Sequence, residues 1–105
     1  MDAAIIIFCS VPDTDSGRRL ADILLAEKAV ACVSISAGVE SHYVWRGKRE
    51  VASERLLLIK TLADKYVAVE KLILQNHPYE CPEIIAVSAE KISPSYSAWL
   101  CENCP

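Results

Sequence analysis

A chain of 105 residues, 52% hydrophobic and 24% charged, is long enough to bury one core and too apolar to stay disordered. A formal net charge of -3 with scattered basic residues excludes the broad basic face that nucleic acid requires. No apolar run reaches the roughly 18 residues of a membrane helix, and the start, Met1-Asp2-Ala3-Ala4, lacks the basic region of a secretory signal. A single domain over residues 1–105, soluble and cytosolic, with neither nucleic acid nor membrane as partner, is the expectation.

In chain order, residues 3–11 form a continuous isoleucine-rich run, short enough for a strand buried on both faces. Pro12-Asp13-Thr14-Asp15-Ser16-Gly17 breaks it and offers side-chain oxygens for a helix N-cap. Leu20, Ile23, Leu24, Ala26 and Ala29 then follow helical spacing to about Lys28. Residues 31–36 alternate, with Val33 and Ile35 on one face, and Ala37-Gly38 is a weak break. Residues 40–45 are strand-like, and Arg46-Gly47-Lys48 is a turn signal at the tip of a hairpin.

Residues 50–61 predict a long strand whose centre, Leu56-Leu57-Leu58-Ile59, is apolar on both faces. A second helix is predicted over residues 64–76, with Tyr66, Val69, Leu72 and Ile73 on its inner stripe. Proline disfavours the helical region for its predecessor, so this helix should stop near His77, before Pro78. A last strand over residues 84–89 and a short helix from Ser93-Pro94-Ser95, carrying Trp99, complete the chain.

The order is β-α-β-β-α-β, the ferredoxin-like α+β plan of an antiparallel sheet with two helices on one face. Its other face should be polar and wet, yet strands one and three are apolar on both sides. Association through the sheets resolves that conflict, so the chain is not expected to be a monomer.

The densest chemistry lies in His77-Pro78-Tyr79-Glu80-Cys81-Pro82-Glu83, which sets an imidazole, a phenol, two carboxylates and a thiol in a proline-stiffened loop. Together with Cys9-Ser10-Val11-Pro12-Asp13, Ala31-Cys32-Val33, Tyr43-Val44-Trp45-Arg46-Gly47-Lys48, Glu54, Lys60-Thr61 and Tyr96-Ser97-Ala98-Trp99, it closely resembles the CutA family of divalent-cation tolerance proteins. The resemblance runs from near the start to Trp99. It implies a ferredoxin-like homotrimer, similar in architecture to the PII signalling proteins, linked to tolerance of copper and other divalent metals, with no established enzymatic reaction.

The resemblance also implies a metal pair, Cys9 and His77, for copper or another divalent ion. The family's first histidine position is Asn76 here, a poor ligand. The competing reading packs Cys9 as a small hydrophobe and lets His77 cap the helix. Glu54 and Lys60 share a strand face but lie roughly 20 Å apart at ~3.3 Å per residue, so each needs a partner from another strand or subunit. An intersubunit cleft bordered by Trp45, Lys60, Tyr79 and Glu83 is the second candidate site.

Five cysteines, only Cys101 and Cys104 of them closely spaced, describe no disulfide framework, and that pair reads as a mobile tail with free thiols. Three glycines exclude a phosphate-binding loop or dinucleotide fingerprint, and only His42 and His77 offer imidazole acid–base chemistry. No catalysis is expected. The functions left are a metal-tolerance trimer, a PII-like small-molecule sensor using intersubunit clefts, and a stable structural or interaction module.

Overall fold

The computed structural model describes residues 3–105; the expectations that fell on Met1 and Asp2 lie outside them. Strand β1 (Ala4–Val11) alternates strictly, burying Ile5, Ile7, Cys9 and Val11 and leaving Ala4, Ile6, Phe8 and Ser10 half-buried. It lies between β3 (Lys48–Leu62) and β4 (Ile85–Ser88), both antiparallel to it, and β2 (Cys32–Trp45) closes the order β2-β3-β1-β4. Helices α1 (Thr14–Ala26) and α2 (Tyr66–Asn76) cover one face of this sheet. Leu20 and Leu24 of α1 and Val69 and Ile73 of α2 join Ile5, Ile7, Cys9, Leu57 and Ile59 in one core. The chain is ferredoxin-like, as its element order requires.

Local chemistry sets the boundaries. Asp13 caps α1 by accepting the Ser16 N–H at 2.8 Å. Gly17 follows where α1 presses on the sheet, and a Cβ there would stand 3.2 Å from Leu57 Cδ2. At the hairpin tip Arg46 and Gly47 have φ of 51° and 79°, as a two-residue type I′ turn requires. His77 ends α2 in extended conformation (ψ 140°) because Pro78 follows.

Two details depart from expectation. Ala37-Gly38 does not interrupt β2: Ile35 pairs with Leu57 and Gly38 with Arg55, so the weak break is a one-residue β-bulge inside a continuous strand. Nor do Cys101 and Cys104 lie on a loose tail. Helix α3 (Pro94–Asn103) holds Leu100 and Cys104 against Leu62, Ala4 and Ala31, which form a second small core. Apolar area offered by Leu62 at the end of β3 is what anchors the segment.

The face of the sheet away from α1 and α2 carries Ile6 and Phe8 beside Leu58 and Lys60, with Ile85 and Val87 exposed on β4. Beyond Arg55, β2 and β3 pair only with each other, giving a two-stranded ribbon that exposes Tyr43, Val44, Trp45 and Val51.

Thr61 is fully buried between the two cores, where its hydroxyl donates to the Ala29 carbonyl at 2.7 Å and lies 3.6 Å from Cys104 Sγ. Thr61→Val keeps the shape but orphans that carbonyl, so it should cost about 1–3 kcal/mol in urea unfolding at fixed protein concentration. An unchanged midpoint would show that the bond adds nothing.

Candidate functional site

The proline loop is tied to the end of β1 by the His77 ring. Nε2 lies 2.8 Å from the Ser10 carbonyl, and Nδ1 accepts the Tyr79 N–H at 3.0 Å. A carbonyl partner requires a proton on Nε2, and an N–H partner requires a lone pair on Nδ1, so the ring is one neutral tautomer. Burial pushes its pKa below the ordinary histidine value, although the Ser10 bond and the Glu54 charge oppose that shift. The Tyr79 ring leans on the imidazole, with centroids 4.9 Å apart.

Held this way, Tyr79 reaches across to β3. Its hydroxyl donates to Glu54 Oε2 at 2.7 Å, and Glu54 is itself buried. Burial, followed by this bond and the Glu54 charge, raises the Tyr79 pKa well above the usual phenol range, so the proton stays on the tyrosine. On the far side the ribbon supplies Ser41, His42, Tyr43 and Trp45, and the loop supplies Pro78, Glu80, Cys81 and Glu83. Between them lies an open cavity of about 700 Å³. Its rim is latched by Arg46, which donates to Glu80 at 3.0 Å and stands 5.4 Å over the Trp45 ring.

Trp45, Tyr79 and Glu83 therefore line one cavity. Lys60 does not. Six residues along β3 from Glu54, it donates to Ser34 Oγ at 2.7 Å and approaches Cys32 Sγ at 3.8 Å. Glu54, a carboxylate six residues before Lys60 on the same strand face, lines this cavity. Ser10, His42 and Cys81 also line the cavity; Cys81 belongs to the proline loop already singled out, whereas Ser10 and His42 had no sequence signal that placed them beside it.

Cys9 and His77 come to the same end of β1, but neither offers a free donor. Cys9 faces the core, fully buried, and its thiol pKa is pushed up to about 12 by burial and then by the charges of Glu83 and Glu54. Both nitrogens of His77 are engaged, and the Asn76 amide donates to the Leu72 carbonyl at 2.8 Å. Among the described residues no three His, Cys, Asp or Glu side chains converge to hold a metal ion.

A depressed histidine pKa stabilises the fold fully above the unfolded value near 6.5, and that contribution is lost as pH falls through the lower folded value. The stability advantage of the native chain over His77→Gln should therefore shrink between about pH 8 and about pH 5 in urea titrations. A gap that does not change with pH would mean that the ring is not held neutral.

A family model described as CutA1 divalent ion tolerance protein matches residues 5–103. The chain is 38% identical over 97 residues to the chloroplastic protein CutA 1 of Oryza sativa subsp. japonica, covering 92% of this chain and 55% of that one. It thus spans about half the length of that relative and of the chloroplastic CutA of Arabidopsis thaliana, of which 53% is covered. The divalent-cation tolerance protein CutA of Yersinia pestis (strain Pestoides F) is also 38% identical, covering 92% of this chain and 82% of that one. The crystal structure of CutA1 from Oryza sativa superimposes with a TM-score of 0.95 at 36% identity, covering 99% and 95% of the two chains. CutA from Xylella fastidiosa gives 0.95 at 35% identity, covering 98% and 99%. The chain belongs to the CutA1 divalent ion tolerance family.

Proposed function

We propose that this protein serves divalent metal ion tolerance in the cytoplasm as a homotrimer, meeting copper or another divalent ion weakly and catalysing no reaction. Family membership supports the metal-tolerance role. The observation that carries the assembly is the ribbon beyond Arg55. A two-stranded ribbon is marginal by itself in water, and this one exposes Tyr43, Val44, Trp45 and Val51. The uncovered sheet face beside it bears Ile6, Phe8, Leu58, Ile85 and Val87. A second copy laid against both surfaces would remove that apolar area from water; the number three comes from the likeness to the family.

Weak metal contact fits the donor set. Cys81 and Cys101 are exposed thiols, and His42 is an exposed imidazole already 2.6 Å from Glu40. Such donors bind one at a time and build no closed coordination shell.

The cavity favours a second reading, a PII-like sensor trimer that holds a small ligand at clefts bordered by Trp45, Tyr79 and Glu83. A volume of about 700 Å³ falls within the usual range for ligand sites.

Sedimentation equilibrium at micromolar concentration should return three times the 11.6 kDa chain mass. A monomer or dimer overturns the assembly. Calorimetric titration of the reduced protein with zinc should give a dissociation constant of about a micromolar or weaker, unchanged in Cys9→Ala. Nanomolar zinc binding lost in Cys9→Ala would restore the Cys9–His77 pair.

A further inference from the structure

We propose that the cavity between the ribbon and the proline loop is a site for a small organic cation, a protonated alkylamine whose N–H groups meet Glu54 and whose carbon chain lies against Trp45 and Tyr79. The proposal rests on the sensor reading and names the ligand class.

The charge balance of the lining carries it. Three carboxylates face the space, Glu54, Glu80 and Glu83, and among the described residues of the chain no lysine or arginine lines it. Glu80 is paired with Arg46 at the rim, where both side chains are well exposed. The one lining histidine, His42, is taken by Glu40. Glu54 is different in kind. It is 9% exposed, its Oε2 accepts the Tyr79 hydroxyl, and among the described residues no cationic side chain pairs with it. A carboxylate withdrawn from water without a counter-charge is costly, and a cation entering the cavity relieves that cost.

The walls decide which cation. A bare metal ion needs three or more donors converging within about 2.0–2.6 Å, and the described residues form no such group. A nucleotide or other anion would meet carboxylates with no basic residue to offset them. An alkylammonium needs one or two acceptor oxygens for its N–H groups and an aromatic surface for its methylenes. Glu54 and Glu83 supply oxygens; Tyr43, Trp45 and Tyr79 supply rings. The rim already illustrates this chemistry, since the Arg46 guanidinium lies 5.4 Å over Trp45 while bonded to Glu80. That cation serves the rim and leaves Glu54, at the floor, unpaired.

The test is calorimetric titration of the assembled protein with putrescine, n-butylamine, tetramethylammonium, n-butanol and ATP at low ionic strength. The two amines should bind, with affinity falling as salt rises, and n-butanol and ATP should not. Tetramethylammonium, which has no N–H donor, should bind at least tenfold more weakly than n-butylamine. Glu54→Gln should weaken the amines at least tenfold and Trp45→Ala should weaken them measurably. Glu90→Gln, outside the cavity, should leave them unchanged. Far-UV circular dichroism and sedimentation must show each variant folded and assembled as the parent; Tyr79→Phe, which keeps the ring and drops only the hydroxyl, replaces any that fails. Equal binding of n-butanol and n-butylamine overturns the proposal, as does amine binding indifferent to Glu54→Gln. ATP binding that is lost in Trp45→Ala overturns it while leaving a sensor cleft in place. If no probe binds and Trp45→Ala instead breaks the assembly, the cavity is packing between copies, and both the proposal and the sensor reading fall.

Discussion

The pairing of β1 with β3 is the constraint on which the rest depends. Ile7 faces Ile59 and Cys9 faces Leu57 at the middle of the sheet, all four fully buried under α1 and α2. Shifting that register by one residue would turn Ile59 and Leu57 outward and bring Leu58 and Lys60 under the helices. The same register fixes the site, because Ser10 stands opposite Leu56, one residue past the buried Cys9. The Ser10 carbonyl anchors His77, and two residues farther along β3 lies Glu54, within reach of Tyr79. Core packing and cavity geometry are therefore one decision.

From this pair outward, confinement falls off in a definite order. The helix-covered face of β1 is closed at every second residue, and the opposite face is half-buried. Beyond Arg55 no third strand among the described residues pairs with the ribbon. Cys9 is held by packing that disfavours its thiolate, and the His77 ring by hydrogen bonds on both nitrogens, so neither presents the lone pair that metal chemistry would use. Exposed groups such as Cys81 and Cys101 keep their donors but lack fixed companions. Rigid groups without free donors thus stand apart from free donors without rigidity, and among the described residues no three metal-ligating side chains converge.

Much of this was legible in the residues. The inner stripe of α2 and the stop before Pro78 follow from local patterning, because neighbours within a few positions decide them. The period-two burial of β1 does not, since residues 3–11 read as apolar on both faces and only the helices set which face is closed. The bulge at Ala37-Gly38 was not legible as such: a small residue before glycine signals a break, and only the partner strand shows that pairing resumes one residue later. The anchored C-terminus was missed for a similar reason, since Leu100 and Cys104 acquire partners from Leu62, Ala4 and Ala31, all remote in sequence. At the site, the alternation rule put Glu54 and Lys60 on one face and forbade their pairing. Which of them met the proline loop depended on the loop's path from His77, and that path is set by the Ser10 carbonyl 67 residues away.

The partner choices of Glu54 and Lys60 define the chemistry of this half of the molecule. Had Lys60 lain beside Tyr79, the cavity would carry a cation at its floor and suit an anion. Instead Lys60 is drawn to Ser34 and Cys32 on β2, away from every carboxylate lining the cavity, while Tyr79 keeps its proton and spends it on Glu54. A phenol bond tempers the buried charge without cancelling it, because a neutral donor lowers the cost of a carboxylate less than a cation does. The result is a fixed negative floor beneath a ring-lined opening. Its sign is set by backbone register, and its position is set by a histidine whose two nitrogens are committed to holding the loop.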